Sequence, residues 1–243
     1  MLHYIDRINS TNHYVKDLLQ KSYPEELSMF IAKEQTQGRG QQGNYWFSDT
    51  GKNHTGTIVF YPVELPPSLQ YQLSKLLSLA IIKTLQHFVQ SDNLSVKWPN
   101  DIYYGNQKIA GILIESSILG NQFEYVIGGI GININQDYFP DYLPNPISLK
   151  MITQKHIALD QFNRLLHREI QSMYKHTDLL KKHIDHDFLN RLYLRNTLAT
   201  FKSGGQIFKA YIKDVDSYGR LILKREDGQQ LVYAFKEIEY LRD

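Results

Sequence analysis

Two glycine-containing segments carry the side chains best suited to chemistry. Residues 38–46 place Arg39 between two glycines, and residues 97–115 place Lys97 and Lys108 beside apolar, strand-forming residues. Glycine lets backbone N–H groups approach an anion closely, and a guanidinium donates two hydrogen bonds at once to a carboxylate or phosphate. An ammonium beside apolar residues is costly to bury without an anion. Together the two segments suit the activation of a carboxylic acid by ATP.

Each of these residues also has a purely structural interpretation. A Gly-Arg-Gly sequence is often only a turn, and this loop lacks both the Walker lysine and the spacing of dinucleotide-binding loops. Trp46 either packs in the core or offers a flat face to a purine. Lys97 and Lys108 either extend to the surface or point into a pocket, where one could stabilise a pentavalent phosphate. Asp101 either positions magnesium or caps its turn.

Three glycines interrupt an apolar stretch farther along the chain. Gly128, Gly129 and Gly131 weaken a strand unless a ligand or another backbone needs the space. Asn133 follows them and could reach a nucleotide. The pattern therefore indicates a close approach at this strand.

Three histidines, His176, His183 and His186, recur at roughly helical intervals. They lack a carboxylate–histidine motif of the zinc-protease type, and the lysines around them would repel a cation. We expect a solvated helix face here and no protein metal site. The sequence also lacks the nucleophile elbow of a Ser-His-Asp hydrolase.

Hydrophobic periodicity and turn residues divide the chain into helices and strands. Ser10, Thr11 and Asn12 are suitable N-cap residues for a short first helix. Helical spacing predicts long helices over 69–88 and 159–173, with a weaker one continuing to about residue 194. The predicted strands are 28–34, 55–61, 94–98, 101–104, 108–116 and 122–134, with a tight turn at Gly105-Asn106.

The order of these elements predicts an α+β fold. Segments 108–114 and 126–134 are apolar on both faces, which places them in the middle of a mixed β-sheet with helices on one side. Short strands separated by glycine turns follow Arg195, which is typical of a small barrel of the SH3 type. We therefore predict a catalytic domain over 1–194 and a C-terminal barrel over 195–243.

Composition excludes several classes of protein. The chain has 243 residues, of which 42% are apolar, and a formal charge of +2, so nothing demands a nucleic-acid or membrane partner. No apolar run approaches the roughly 20 residues of a membrane span, and the N-terminus lacks a signal-peptide pattern. We expect a cytoplasmic protein. The sequence contains no cysteine, which excludes a thiolate nucleophile.

Four motifs occur in an order that resembles the biotin protein ligases, in the short form without an N-terminal DNA-binding domain. The resemblance spans nearly the whole chain, because Ser10-Thr11-Asn12 precedes the motifs and the small barrel follows them. The implied fold is the biotin/lipoate ligase catalytic domain, which is similar to class II synthetases. The motifs are Gly38-Arg39-Gly40 with Trp46, 97–101 (KWPND), 108–115 (KIAGILIE) and 129–133 (GIGIN).

The resemblance implies a two-step ligase reaction. The carboxylate of biotin attacks the α-phosphate of ATP, with Mg²⁺ bound, to give biotinyl-5′-AMP and pyrophosphate. A lysine amine of a biotin carboxyl carrier protein then attacks the acyl carbon and expels AMP. Biotin and the carrier protein are therefore the expected partners, ATP and Mg²⁺ are the expected cofactors, and a homodimer stays open.

The resemblance also assigns roles to individual residues. Lys108 is the expected catalytic cation, and Arg39 with the Gly40 backbone holds the carboxylate and the phosphate. The ureido ring of biotin is bound by Ser10, Thr11 and Gln35, and the substrate-binding set is completed by Asn12, Gly38, Gln41 and Gly111. The nucleotide side comprises Trp46, which stacks on adenine, Asn100 and Asn133 nearby, and Lys97 and Asp101 at the phosphates and metal.

One departure from the family pattern concerns the glycine loop. Where family members often continue with arginines, this chain has Gln41 and Gln42. We therefore expect retention of the adenylate to depend on Arg39, Lys108 and closure of the 38–50 loop. Because the motifs begin at about residue 10, we also expect no winged-helix domain and no repression of an operator.

Two other functions stay open. A lipoate or octanoate enzyme has a related catalytic domain, but its transferase branch uses a cysteine that is missing here, and its ligase branch is not expected to contain the 97–101 motif. A non-catalytic sensor of biotin or its adenylate belongs to a different class. Release of pyrophosphate from ATP on addition of biotin distinguishes the three.

Overall fold

Two β-sheets organise the chain in this computed structural model, which describes residues 1–176 and 183–241. The helices are α1 Thr11–Leu19, α2 Tyr71–Leu85, α3 Leu149–Thr153, α4 Leu159–His176 and α5 His183–Asn190. The first sheet contains β1 Leu2–Ile8, β2 Met29–Gln35, β3 His54–Phe60, β4 Leu94–Lys97, β5 Asp101–Tyr104, β6 Gln107–Leu119 and β7 Gln122–Ile132. The second contains β8 Leu198–Ser203, β9 Gln206–Val215, β10 Leu221–Lys224, β11 Gln230–Tyr233 and β12 Glu239–Tyr240.

The first sheet is mixed, as the sequence predicts. Its order is β1-β2-β3-β7-β6-β5-β4; β1 and β2 pair in parallel, and the other neighbours are antiparallel. β6 and β7 lie in its interior, as expected from their apolar sequences. β1 was not predicted, because it is a partly exposed edge strand without the hydrophobic run that marks a buried strand. Its end leads directly into α1.

Helices cover both faces of this sheet. α2 and α4 contribute Leu73, Leu77 and Phe162 to the large core cluster. α1 belongs to a separate, smaller cluster, in which Val15 and Leu19 pack against β2, β3 and β7. Alternate residues of β2 divide between the two clusters, as a pleated strand requires. The expectation of helices on one side therefore fails for α1, because helical periodicity identifies an apolar stripe but not which face of a sheet it covers.

The predicted tight turn at Gly105-Asn106 is confirmed. β5 and β6 pair antiparallel with Tyr104 opposite Gln107, so only two residues form the turn, and Gly105 has a φ of 56°. The longer hairpin of β6 and β7 then brings Gly111 opposite Gly131. Two facing residues without side chains leave room on the surface of the sheet.

The second sheet is antiparallel, with the order β11-β10-β9-β8-β12. It is formed by the short strands that the sequence predicts after Arg195. The closure of these strands into a barrel of the SH3 type and the domain boundary near 194 stay predictions.

Part of the predicted weaker helix lies outside the described residues. α5 contains His186, which is exposed and lies beside the Asn190 amide, whereas Lys181 and Lys182 fall in the gap at 177–182. Over 1–176 and 183–241, no group of three or more His, Cys, Asp or Glu side chains is arranged to hold a metal ion. The same ranges contain no helix that is both long and apolar enough to cross a bilayer.

His54 links the stability of the fold to pH. It lies fully buried in β3 with its Nδ1 2.8 Å from Asn163 Oδ1, and burial lowers its pKa to about 4 even though the Asn163 contact opposes this shift. The ordinary pKa of histidine is 6.5. Between about pH 6.5 and pH 4, His54 therefore binds a proton in the unfolded chain but not in the folded chain. The free energy of unfolding therefore falls as the pH falls through this window, by roughly 2 kcal/mol between about pH 6.5 and 5 from this group.

We expect His54→Gln to reduce this pH dependence, because the replacement does not titrate. Urea unfolding near pH 7 and near pH 5 measures it. His13→Gln, on the exposed surface of α1, is the control for the loss of one imidazole. An unchanged dependence in His54→Gln would show that other groups cause it.

Candidate active site

A cleft of about 460 Å³, open to solvent, lies on the face of the first sheet that carries α1. The start of α1, the end of β2, the 38–46 loop and the middle of β6 and β7 form its walls. The structure brings together there these predicted site residues: Ser10, Thr11, Asn12, Gln35, Arg39, Gly40, Gln41, Trp46, Asn100, Lys108 and Gly111.

Side chains at the start of α1 form one wall through a row of hydrogen bonds. Gln35 Oε1 accepts from the backbone N–H of Thr11 at 2.8 Å and lies 3.1 Å from its hydroxyl. The Thr57 hydroxyl lies 2.8 Å from the Thr11 hydroxyl and 2.5 Å from Asn12 Oδ1. Ser10 occupies the predicted N-cap position, but its side chain makes no capping hydrogen bond. The polar groups predicted to cap the helix therefore line the cleft instead.

The three glycines of β7 make space for side chains of the protein itself. A Cβ on Gly129 would lie 2.4 Å from Asn12 Oδ1, and one on Gly131 would lie 2.3 Å from the Trp46 ring. A Cβ on Gly128 would instead lie 2.6 Å from Leu77 of α2, on the opposite face. The close approach that the sequence indicates is therefore made on both faces of one strand.

The 38–46 loop closes on itself. Trp46 N–H donates to the Gly38 carbonyl at 2.9 Å, and Gly40 N–H donates to the Asn44 carbonyl at 2.7 Å. A Cβ on Gly38 would lie 2.4 Å from the Trp46 carbonyl oxygen. Gly38 is thus required by the contact between the two limbs of the loop and does not itself line the cleft. The closure directs Arg39 and Trp46 inward.

Lys108 points into the cleft rather than to the surface. Its Nζ lies 2.6 Å from Asp101 Oδ1 and 5.5 Å from the centre of the Trp46 ring. Asp101 is therefore the ion-pair partner of Lys108. Asn100, beside it, donates from its amide to the Ile112 carbonyl at 2.6 Å, which holds the segment against β6.

The 98–101 segment is also held by the second sheet and by α2. Trp98 Nε1 donates to the Gly219 carbonyl at 2.8 Å, and the Tyr71 hydroxyl donates to the Pro99 carbonyl at 2.8 Å. The peptide between Trp98 and Pro99 is cis. The C-terminal sheet thus helps to position the strand that carries Asp101.

Three residues predicted on the nucleotide side do not line this cleft: Asp101, which contacts it only through Lys108, and also Lys97 and Asn133. Lys97 Nζ lies 3.1 Å from the Tyr103 hydroxyl and 5.1 Å from the Tyr240 ring centre, in a second cavity of about 850 Å³. Asn133 is buried, and its amide donates to the Ile147 carbonyl at 3.1 Å. Spacing along the chain could not reveal these positions, because a strand residue can face either side of its sheet.

Sequence reasoning assigned no role to Glu115 or Lys16, which lie at the edge of the cleft. Glu115 Oε1 lies 2.6 Å from Lys16 Nζ and 3.6 Å from Arg39 Nη1, and its Oε2 accepts from the Asn12 amide at 2.7 Å. Burial alone would raise the pKa of Glu115, but the hydrogen bonds from Lys16 and Asn12 and the nearby positive charges outweigh it and lower the pKa. Lys16 follows Asn12 by four residues on α1, a spacing that places both on one face.

Comparison with known proteins identifies the family. The model of the biotin/lipoate A/B protein ligase family matches residues 4–133, more than half of the chain, and that of the biotin protein ligase C-terminal domain matches residues 200–236. The chain belongs to the biotin/lipoate A/B protein ligase family. The polar wall, the glycine loop and Lys108 all lie within the matched residues 4–133.

Individual members of this family match the chain at low to moderate sequence identity. The chain is 35% identical over 144 residues to the bifunctional ligase/repressor BirA of Bacillus spizizenii, which covers 58% of this chain and 43% of the relative. It is 26% identical over 221 residues to the biotin–[acetyl-CoA-carboxylase] ligase of Mycobacterium tuberculosis, which covers 88% and 79%. The chain thus spans less than half of the length of BirA.

A solved structure shows the same fold. Biotin protein ligase from Aquifex aeolicus in complex with biotin and ATP superimposes with a TM-score of 0.78, over 100% of this chain and 99% of that one, at 22% identity. The mixed sheet with its helices and C-terminal strands is therefore the fold of this family.

Gly131→Ala tests the position of Trp46. We expect the added methyl group to displace the indole from its position on the sheet. The KM for ATP, the nucleotide expected from the sequence, should then rise roughly 10-fold. Gly128→Ala on the same strand is the matched control: it clashes with Leu77 and should lower the melting temperature while leaving the KM for ATP unchanged. Equal effects of the two variants on KM would contradict this role of Gly131.

Gln41→Arg tests the departure in the glycine loop. Gln41 lines both the cleft and a neighbouring cavity of about 750 Å³, and its Oε1 is buried with no hydrogen-bond partner among the described residues. A guanidinium at this junction should slow release of the acyl-adenylate that the resemblance implies by several-fold, because it adds a bidentate donor for phosphate. Adenylate dissociation, followed after rapid dilution, measures this. An unchanged release rate would count against a role for position 41.

Proposed function

We propose that the chain is an ATP-dependent ligase that attaches biotin to a lysine of a biotin carboxyl carrier protein through biotinyl-5′-AMP. The observation that carries the proposal is the composition of the cleft. Hydroxyl and amide groups of Thr11, Asn12 and Gln35 lie along one wall, and the cations Lys108 and Arg39 line the same cleft. The cleft therefore offers hydrogen-bonding groups and cations that suit one substrate with both a polar ring and an anionic group.

The polar wall favours biotin over the other acids used in this family. The ureido ring of biotin carries two N–H donors and a carbonyl acceptor, which match the amide of Gln35 and the hydroxyls of Ser10 and Thr11. A dithiolane or alkyl chain offers no such groups and would gain no hydrogen bonds along this wall.

Positive charge supplies the chemistry of the first step. Lys108 and Arg39 each have a carboxylate of the protein as partner, Asp101 and Glu115 respectively. The carboxylate of biotin and the α-phosphate of ATP would compete with Asp101 and Glu115 for these cations. Both cations would then stabilise the charge that develops on the pentavalent phosphate. The substrate carboxylate is itself the nucleophile, so the absence of cysteine from the sequence is no obstacle.

Magnesium fits this site as a companion of the nucleotide. Mg²⁺ in such sites is held mainly by substrate phosphates and one or two carboxylates. Asp101 is the carboxylate beside Lys108 and is the residue that would bind it. The ion would neutralise phosphate charge.

The proposal includes a cytoplasmic location, where ATP is available. A homodimer stays a prediction.

The test measures pyrophosphate release from ATP with each of three acids. Biotin should give release, with lipoate and octanoate near background. Addition of an isolated biotin carboxyl carrier domain should then yield a biotinylated lysine, detected by mass spectrometry. Release with lipoate or octanoate instead would assign a different acid, and no release despite biotin binding would assign a sensor.

Lys108→Ala should slow adenylation by roughly 10²–10³-fold while the protein stays folded, because a cation at the reacting phosphate is lost. Lys150→Ala is a closely matched control. Both lysines lie 2.6 Å from an aspartate, and their side chains are 30% and 33% exposed, but Lys150 lies on α3, outside the cleft. Near-normal turnover of folded Lys108→Ala would rule out the catalytic role.

A further inference from the structure

Glu115 is shared by two cations that hold it in different ways. Lys16 Nζ lies 2.6 Å from Oε1, a charge-assisted hydrogen bond, whereas Arg39 Nη1 lies 3.6 Å from the same oxygen. The longer separation is an ionic contact without a hydrogen bond. Arg39 is therefore the more easily removed of the two.

Arg39 can leave without exposing an unpaired charge. The Glu115 side chain is only 17% exposed, and breaking an ion pair at such a site is costly when one charge is left alone. Lys16 and the amide of Asn12 stay bound when Arg39 moves, so the carboxylate keeps a cation and a hydrogen-bond donor. The structure thus makes departure of Arg39 inexpensive.

Glu115 itself is held in place. Its Oε2 accepts from Asn12, whose Oδ1 contacts the Thr57 hydroxyl at 2.5 Å and lies over Gly129. Thr57 belongs to the buried sheet and cannot follow Arg39. The fixed members, Asn12 and Thr57, therefore keep Glu115 at the edge of the cleft, while the half-exposed Arg39 is free to move from Glu115 toward a bound anion.

We propose that Glu115 and Lys16 form a counter-ion exchange pair: Glu115 holds Arg39 at the edge of the cleft, and Lys16 neutralises Glu115 when Arg39 transfers to the anionic substrate. Lys16 is then a positioning residue that acts through Arg39. The inference rests on the proposed function, because the incoming anion is the carboxylate of biotin or the phosphate of the nucleotide.

The experiment is a double-mutant cycle with Lys16→Met and Glu115→Gln. Without Lys16, Arg39 is the remaining cation at Glu115 among the described residues and must stay there, so the KM for biotin should rise roughly 3- to 10-fold with little change in kcat. In Glu115→Gln the carboxylate is gone, so Lys16→Met should then change KM by about 2-fold or less. A merely structural lysine would lower the melting temperature and leave the KM for biotin unchanged.

Lys21→Met, just beyond the end of α1, is the control for loss of one positive charge, and its KM should equal that of the unmutated chain. An unchanged KM in Lys16→Met overturns the inference, as does an equal rise in both Glu115 backgrounds. Absence of biotin-dependent pyrophosphate release from the unmutated chain would contradict the proposed function, and with it the inference. The two failures are thus distinguishable.

Discussion

The ion pair between Lys108 and Asp101 is the contact on which the cleft depends. A partly buried ammonium needs an anion, and the 2.6 Å contact supplies one without filling the cleft. The pair forms because β5 and β6 meet at a two-residue turn and because the segment before β5 is held from outside the first sheet. Lys108 is therefore held by an interaction that another anion can replace.

The surroundings of this pair come from a single interior strand. β7 presents Gly128 to α2 and Gly129 and Gly131 to the cleft, so one strand serves the core on one face and the site on the other. Gly128 leaves room for Leu77 on one face, and Gly129 and Gly131 leave room for Asn12 and Trp46 on the other. The cost of three glycines in a strand is offset by the packing of these side chains.

The charges around the cleft share one arrangement. Each inward cation has a carboxylate of the protein as its partner, Lys108 with Asp101 and Arg39 with Glu115. Paired cations are less costly to hold in a cleft than isolated ones, and they remain available to an anion that offers better geometry. The polar row from Gln35 to Asn12 continues from Glu115, so charge and hydrogen bonding along this wall form one network.

The amino-acid sequence by itself predicts most of the elements, though not β1 or α3, and many of the residues that line the cleft. Apolar periodicity predicts α2, α4 and the interior strands, Gly105-Asn106 predicts its turn, and the motifs predict that Arg39, Trp46 and Lys108 belong together. Tertiary structure alone decided the face of each side chain. It placed α1 on the opposite face of the sheet from α2 and α4 and left Lys97 and Asn133 outside the cleft. It also brought Glu115 into contact with Lys16 and Arg39. The physical reason is that these outcomes depend on pairing between strands distant along the chain, whereas local patterns record only which residues prefer burial, turns or charge.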